Sequence, residues 1–234
     1  MPDPRQGVFE TLLVIDGRPV ALEAHLERLN ASLAELFPDL PTPDLDWKEL
    51  PAKRGSLRIT MKPVGGELTV QTSVKTVEQR SKPVALHSLP VTGGLGAHKW
   101  TDRSLLDEAQ AGLPADSLPL IVDTDGAALE ASRANLFAVR DGALFTPPLD
   151  GRILPGITRM RVLELARKVG IDAYEAELSR DDLLASEEVF LTGSVRGIER
   201  ARSLDGAPLR SRTEITDRLA TELWQAWTGT RAAI

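Results

Sequence analysis

Between Gly126 and Gly156 the chain reads GAALEASRANLFAVRDGALFTPPLDGRILPG, and the punctuation of this stretch leaves few folds open. Asp125-Gly126 and Asp141-Gly142 each separate two short runs of apolar and β-branched residues. That is the turn chemistry of a tight hairpin, because glycine supplies the positive φ such turns need. PLIVDTDGAALEAS and NLFAVRDGALFTPP therefore read as two hairpins. Pro155-Gly156 then breaks the chain, and ITRMRVLELARKVG carries helical periodicity as far as Gly170, a helix-ending residue. One carboxylate, Glu130, lies inside the apolar strand run. Burying it unpaired is expensive, so it has to face a partner. That partner is either an arginine, such as Arg133 or Arg103, or a cationic group brought in from outside the chain.

The rest of the chain alternates in the same way. GVFETLLVIDGRPVAL is a hairpin around Asp16-Gly17, and AHLERLNASLAELF places Leu26, Leu29, Leu33 and Phe37 at the spacing of an amphipathic helix. PDLPTPDLDW is a proline-rich connection with a short helix expected behind it. SLRITMKP, ELTVQTSVK and VALHSLP are strands. VTGGLGAH, with three glycines in eight residues, reads as a linker. Beyond it TDRSLLDEAQAGL is helical, with Thr101 or Asp102 as its cap. After the helix at Ile157, IDAYEAEL and EEVFLTGSV are strands around a short helical SRDDLLA. VRGIERARSLDG is extended and RTEITDRLATELWQAWTG is a last helix. The predicted organisation is α+β in two domains: a small N-terminal α+β domain at 1–91, a linker at 92–97 and a larger C-terminal α/β domain at 98–234.

Composition narrows function by exclusion. The 234 residues contain no cysteine, which removes disulfides, thiolate metal sites and cysteine nucleophiles. Three scattered histidines (His25, His87, His98) do not make a metal site. A net charge of −6 argues against a nucleic-acid partner, which demands clustered Lys and Arg. No apolar run approaches the roughly 18 residues of a membrane span. MPDPRQGVFET lacks the basic-then-apolar pattern of a signal peptide. The expectation is a cytoplasmic, metal-free enzyme or small-molecule binder.

Two segments suit an anion. In GRILPGITRM, Thr158 sits at a helix start, where backbone amides and the helix dipole favour negative charge. In LTGSVRG, Thr192, Gly193 and Ser194 follow an apolar strand, and small hydroxyl residues in a sharp turn bind phosphate or carboxylate. Taken alone, the first also reads as an ordinary capped helix and the second as an ordinary turn. Asn135 could brace the site through its side-chain amide and reads equally well as a turn-stabilising residue. Lys99, between His98 and Trp100, is a lysine set beside apolar groups, as an imine-forming catalyst requires, and also reads as a solvated lysine. Together, a buried acid, a helix-start anion site and an isolated lysine are what a protein needs to hold pyridoxal 5'-phosphate.

The ordered motifs GVFETL at 7–12, HLERLNAS at 25–32, Lys99, GAALEASRANLF at 126–137, TPPLDGRILPGITR at 146–159 and SEEVFLTGS at 186–194 resemble the fold-type IV pyridoxal-phosphate enzymes, the class IV aminotransferase family. The resemblance implies a D-amino-acid aminotransferase-like fold with Lys99 as the Schiff-base lysine and Glu130 as partner of the pyridine nitrogen. Arg28, Ile157, Thr158 and Ser194 would hold the phosphate. It also implies a cleft between two domains and an active site completed across a homodimer. The family usually begins with an extra strand and loop before its GVFET motif. Here six residues precede Gly7, so either that strand is missing, as in fused lyase domains, or the domain is pared down.

Within the family the chain is more similar to the 4-amino-4-deoxychorismate lyases than to the aminotransferases. KWTDR at 99–103 is similar to the lyases' K-x-x-N-R, Ala131 follows Glu130 where aminotransferases carry glycine, and the single tyrosine (Tyr174) leaves no aromatic pocket of the branched-chain type. The implied reaction yields 4-aminobenzoate and pyruvate, with a functional link to aminodeoxychorismate synthase. Two substrate carboxylates call for arginine and amide donors, for which Arg133, Val195 and Arg196 are the candidates, the two arginines reading equally well as surface residues. The rival readings are an aminotransferase for D-amino or branched-chain acids, a non-catalytic binder of the same cofactor, and an α+β domain that binds none.

Overall fold

The computed structural model describes residues 2–45, 50, 53–78 and 82–229. Of the residues directly behind the proline-rich connection, where a short helix is expected, 48, 49, 51 and 52 lie outside that set. The chain divides into two compact units, Met1–Gln79 with His98–Ser104, and Arg80–Ala97 with Leu105–Ile234.

In the first unit β1 (Val8–Ile15), β2 (Arg18–Pro19), β3 (Arg54–Val64) and β4 (Glu67–Thr76) form an antiparallel sheet in the order β2-β1-β3-β4. The β1–β2 hairpin turns at Asp16-Gly17, both at positive φ, as that pair predicts. Helix α1 (Leu22–Leu36) lays Leu29 and Leu33 on Leu12, Val14, Leu57, Ile59 and Met61, with Trp100 packed against the same cluster. Burying each such side chain stabilises the unit by roughly 1.5–3 kcal/mol.

The second unit is built on one large sheet. Its strands are β5 (Val84–Pro90), β6 (Ser117–Val122), β7 (Ala128–Ala131), β8 (Ala134–Arg140), β9 (Ala143–Thr146), β10 (Ala173–Glu175), β11 (Glu188–Gly193), β12 (Gly197–Leu204) and β13 (Ala207–Pro208). The order is β10-β9-β8-β11-β12-β5-β6-β7, and β7 also pairs with β8, so six strands close on themselves. Both expected hairpins are there, β6–β7 and β8–β9. The alternation along β8 separates two cores: Leu136 and Ala138 join the cluster of Leu86, Leu120, Val189 and Leu191, while Phe137 and Val139 face the other way. On that second face pack α3 (Ile157–Lys168) and α5 (Glu214–Thr228), through Val162, Leu163, Ala166, Leu219 and Leu223. Phe137 and Phe190 stack there with centroids 5.1 Å apart. Glu188 seats α5 by accepting from the amides of Ile215 and Thr216. Two shorter helices, α2 (Ser104–Ala111) and α4 (Arg180–Ala185), complete the chain, α4 opened by a Ser179–Asp182 capping box. Among the described residues no helix is long and apolar enough to cross a membrane.

The division at 91/92 expected from composition differs from these units in two places. VALHSLP, counted with the N-terminal domain, is β5, and it pairs in parallel with β6 and β12 of the second unit's sheet. His98–Ser104, counted with the C-terminal domain, belongs to the first unit. There Val8 bridges Trp100, the amide of Phe9 donates to the carbonyl of Lys99, and that of Thr101 to Gly7. Strand pairing, not the glycine-rich stretch, sets both memberships. IDAYEAEL yields only the three-residue β10.

Candidate active site

In the first unit the site residues stand on β1 and the short segment beside it. Alternation along β1 turns Glu10 toward α1 and Phe9 to the other face. Glu10 is buried, and α1 answers it with His25 and Arg28, one helical turn apart. Arg28 donates from Nε to Oε1 and from Nη2 to Oε2, both at 2.7 Å, while His25 Nδ1 lies 2.8 Å from Oε2. Burial alone would push the Glu10 carboxyl up, but the hydrogen bonds and charges of His25 and Arg28 outweigh it and hold the group at about 2. On the opposite face Lys99 Nζ lies 5.1 Å from the centroid of the Phe9 ring, and the Arg58 guanidinium lies 3.6 Å from that centroid. Lys99 is half-buried, whereas every other lysine among the described residues is exposed.

In the second unit, register assembles a row across three strands. Glu130 on β7 is opposite Asn135 on β8, and Asn135 is opposite Thr192 on β11, so the three side chains share a face. Asn135 Nδ2 donates to Glu130 Oε2 at 3.1 Å and to the Leu154 carbonyl at 2.9 Å, and the Leu154 amide donates to Glu130 Oε1 at 3.2 Å. The bracing role open to Asn135 in the sequence is thus realised. It ties the acid to the loop that enters α3. Thr192 Oγ1 is buried and has no hydrogen-bond partner among the described residues.

Helix α3 opens at Gly156 without a side-chain cap and with no acidic residue in its first turn. Its leading amides are therefore left to whatever anion is at hand. Thr158 Oγ1 is 3.5 Å from Ser194 Oγ, which brings the two predicted anion segments together. Gly156 is closely approached: a Cβ there would lie 1.8 Å from Asn135 Oδ1, so any larger residue must push the Asn135 side chain aside. Arg159 is used by the fold, donating to the Pro147 carbonyl and to Glu175.

Of the arginines considered for substrate, Arg133 in the β7–β8 turn and Arg196 in the β11–β12 turn both reach Glu199, at 3.4 and 3.7 Å. Val195 lies between Ser194 and Arg196 in the same turn. Sequence reasoning missed Glu10, His25, Arg58 and Glu199. Only HLER offered a signal, a histidine three residues before an arginine on one helix face. The carboxylate that His25 and Arg28 share, Glu10, lies outside that motif on β1.

The family model for amino-transferase class IV matches residues 7–204. The branched-chain-amino-acid aminotransferase of Salmonella typhimurium is 44% identical over 87 residues, a stretch that covers 37% of this chain and only 28% of that protein. A bifunctional aminodeoxychorismate lyase / D-amino acid transaminase of Mycobacterium tuberculosis is 32% identical over 253 residues, 90% of this chain and 86% of its own length. Among solved structures, the pyridoxal-phosphate-bound form of a hypothetical aminotransferase from Mycobacterium tuberculosis superposes with a TM-score of 0.81 at 30% identity, covering 97% of this chain and 90% of that one.

Proposed function

Because this chain belongs to the amino-transferase class IV family of pyridoxal-phosphate enzymes, we propose that it is a lyase converting 4-amino-4-deoxychorismate to 4-aminobenzoate and pyruvate. The observation that carries the cofactor part of this reading is the buried Glu130, seated by Asn135 and Leu154 beside the uncapped start of α3. That donor set fits the cofactor. A carboxylate braced on both oxygens suits a protonated ring nitrogen, an uncapped helix start with the Thr158 and Ser194 hydroxyls suits a phosphate, and the buried Thr192 hydroxyl has no partner among the described residues and could take one from a ligand.

In this proposal Lys99, Glu130, Arg28, Ile157, Thr158 and Ser194 serve one pyridoxal phosphate, with Arg28 already neutralised by Glu10. When bound, the cofactor supplies an aldehyde for the substrate amine and a ring that accepts electrons. Glu130 keeps a proton on the ring nitrogen. The Lys99 amine removes the proton from the substrate carbon that bears the amino group. The C–O bond to the enolpyruvyl group would then break, its oxygen keeping the bonding pair and taking back the proton held by Lys99, so that pyruvate leaves as its enol while the substrate ring becomes aromatic. Arg133, Arg196 and the Val195 amide hold substrate carboxylate. A homodimer and a functional link to aminodeoxychorismate synthase belong to the same proposal.

Support for the lyase comes from KWTDR at 99–103, from Ala131 after Glu130, and from likeness to the bifunctional mycobacterial protein. The local 44% identity to a branched-chain aminotransferase favours the second reading, amino-group transfer to a 2-oxo acid. The test incubates cofactor-loaded protein with 4-amino-4-deoxychorismate made in place from chorismate and its synthase. Release of both products with no added 2-oxo acid is the expected result. Turnover that appears only when a 2-oxo acid is supplied establishes the aminotransferase instead.

Gly156→Ala probes the cradle apart from the reaction. Its methyl group must displace the Asn135 amide from Glu130 and from the Leu154 carbonyl. Losing one or two such bonds at about 1 kcal/mol each weakens pyridoxal-phosphate binding by roughly fivefold to thirtyfold. Titration of the apoprotein followed by absorbance checks this, and an unchanged Kd rejects the cradle.

A further inference from the structure

Arg152 stands two residues before Leu154, whose amide and carbonyl seat Glu130 and Asn135. The loop divides its side chains. Ile153 is buried among Leu106, Ile121, Ala127 and Leu129, while Arg152 turns to a set of carboxylates. Its Nη1 donates to Asp123 at 3.3 Å and to Asp125 at 3.1 Å, both in the turn that leads into β7. Its Nη2 donates to Glu177 at 2.7 Å, shortly before α4, and its Nε to Asp150 at 2.8 Å. One half-buried guanidinium thus joins three segments of the second unit.

The backbone at Arg152 is held as well. Its carbonyl accepts from the Gly96 amide at 3.4 Å, and a Cβ on Gly94 would come within 2.1 Å of it. Asp123 in turn accepts from the Gly93 amide at 2.9 Å, so the glycine-rich stretch closes over the same point. Burial of Ile153 holds the loop to the interior, but apolar contact is non-directional. The fork of a guanidinium is directional. An isolated exposed ion pair contributes little, whereas a guanidinium engaged at Nε and both Nη, with Asp123 largely covered, forms a network. Glu130 lies five residues beyond Asp125, and Leu154 two beyond Arg152. The network therefore spans the two segments whose contact seats the acid.

We propose that Arg152 is a positioning residue for Glu130. By tying the β6–β7 turn to the loop before α3, it keeps the Leu154 amide and carbonyl on Glu130 and Asn135, and so sets how tightly the acid can hold the pyridine ring of pyridoxal phosphate. This rests on the reading of Glu130 as the partner of the ring nitrogen and adds the residue that holds it in place. Arg152→Met keeps a long stem without the charge. Arg152→Lys returns the charge without the fork.

Two readouts test this on the full chain. The first, amide hydrogen exchange, needs no cofactor. Arg152→Met is expected to speed exchange at the Leu154 amide about tenfold with the β8 amides unchanged, and Arg152→Lys to stay within about threefold of wild type. Unchanged exchange at Leu154 overturns the proposal, and so does an equal rise throughout β8, which marks a general loss of stability. The second readout is titration with pyridoxal phosphate followed by absorbance. Arg152→Met should weaken binding about tenfold in the wild-type background and by less than about twofold beside Glu130→Ala, because the effect runs through that carboxylate. Equal weakening in both backgrounds overturns the proposal. Should the Glu130→Ala protein bind no pyridoxal phosphate, exchange at Leu154 decides alone. Should Arg152→Met fail to fold, Glu177→Gln removes one exposed arm and is expected to speed Leu154 exchange about threefold, and no change there overturns the proposal. Exchange that responds as expected in a protein whose cofactor affinity is indifferent to Glu130→Ala keeps the positioning and sinks the reading of Glu130 alone.

Discussion

Lys99→Ala is expected to lower turnover by at least about a thousandfold, since in the proposed mechanism it removes both the imine-forming amine and the base that moves the substrate proton. The position is specified by pairing rather than by the side chain. The Lys99 carbonyl accepts from the Phe9 amide and its neighbour Trp100 bridges Val8, so an alanine leaves the backbone where it is. The amine is held beside the Phe9 ring on the face shared with Arg58. No other described lysine is even half-buried, so none is placed to replace it. Single-turnover formation of 4-aminobenzoate measures the loss. Borohydride reduction supplies an independent readout: it should fix pyridoxal phosphate to wild type at Lys99 and leave the variant unlabelled after denaturation. Turnover within tenfold of wild type, or label on a different lysine, would refute the assignment.

The largest expected effect on stability is that of Glu10→Ala. Removing the carboxylate takes away the buried group that the Arg28 guanidinium and the His25 ring share, and breaking a buried pair in this way costs about 3–5 kcal/mol. The acid limb of the stability profile reports the same group. A carboxyl that titrates at about 2 when folded and near 4.5 when unfolded contributes about 3 kcal/mol. The folded value is the lower one, so the contribution is complete above the unfolded value and disappears as pH falls toward about 2. Glu10→Gln keeps the shape without the charge. Its deficit in urea midpoint against wild type should therefore be full at neutral pH and shrink steadily between pH 4.5 and 2. A deficit that stays flat across that range, or none at neutral pH, would remove Glu10 from the account of how Arg28 is held.

Much of this protein was legible in its amino-acid order because the signals are short-range. Asp-Gly pairs set the hairpins at 16–17, 125–126 and 141–142. Leucine spacing set α1, and Pro155-Gly156 set the start of α3. The same locality exposed Glu130, because a carboxylate inside an apolar strand is anomalous without reference to any neighbour. Asn135 followed, being five residues away across a single hairpin.

What the order of residues could not determine is which distant strand accepts a given segment. VALHSLP carries the pattern of any buried strand, and only its parallel pairing with β6 and β12 assigns it to the second unit. The 99–101 segment looked like the opening of the C-terminal domain until its hydrogen bonds to Gly7 and Phe9 returned it to the first. Glu10 with Arg28, and Glu199 with Arg133, were unreadable for the same reason. A lone charge in a strand announces that it needs a partner, but the partner lies 18 residues away in one case and 66 in the other for Arg133. Local chemistry selected the elements and the acid. Tertiary pairing, which satisfies buried charge and strand edges with whatever the fold brings near, chose the company each one keeps.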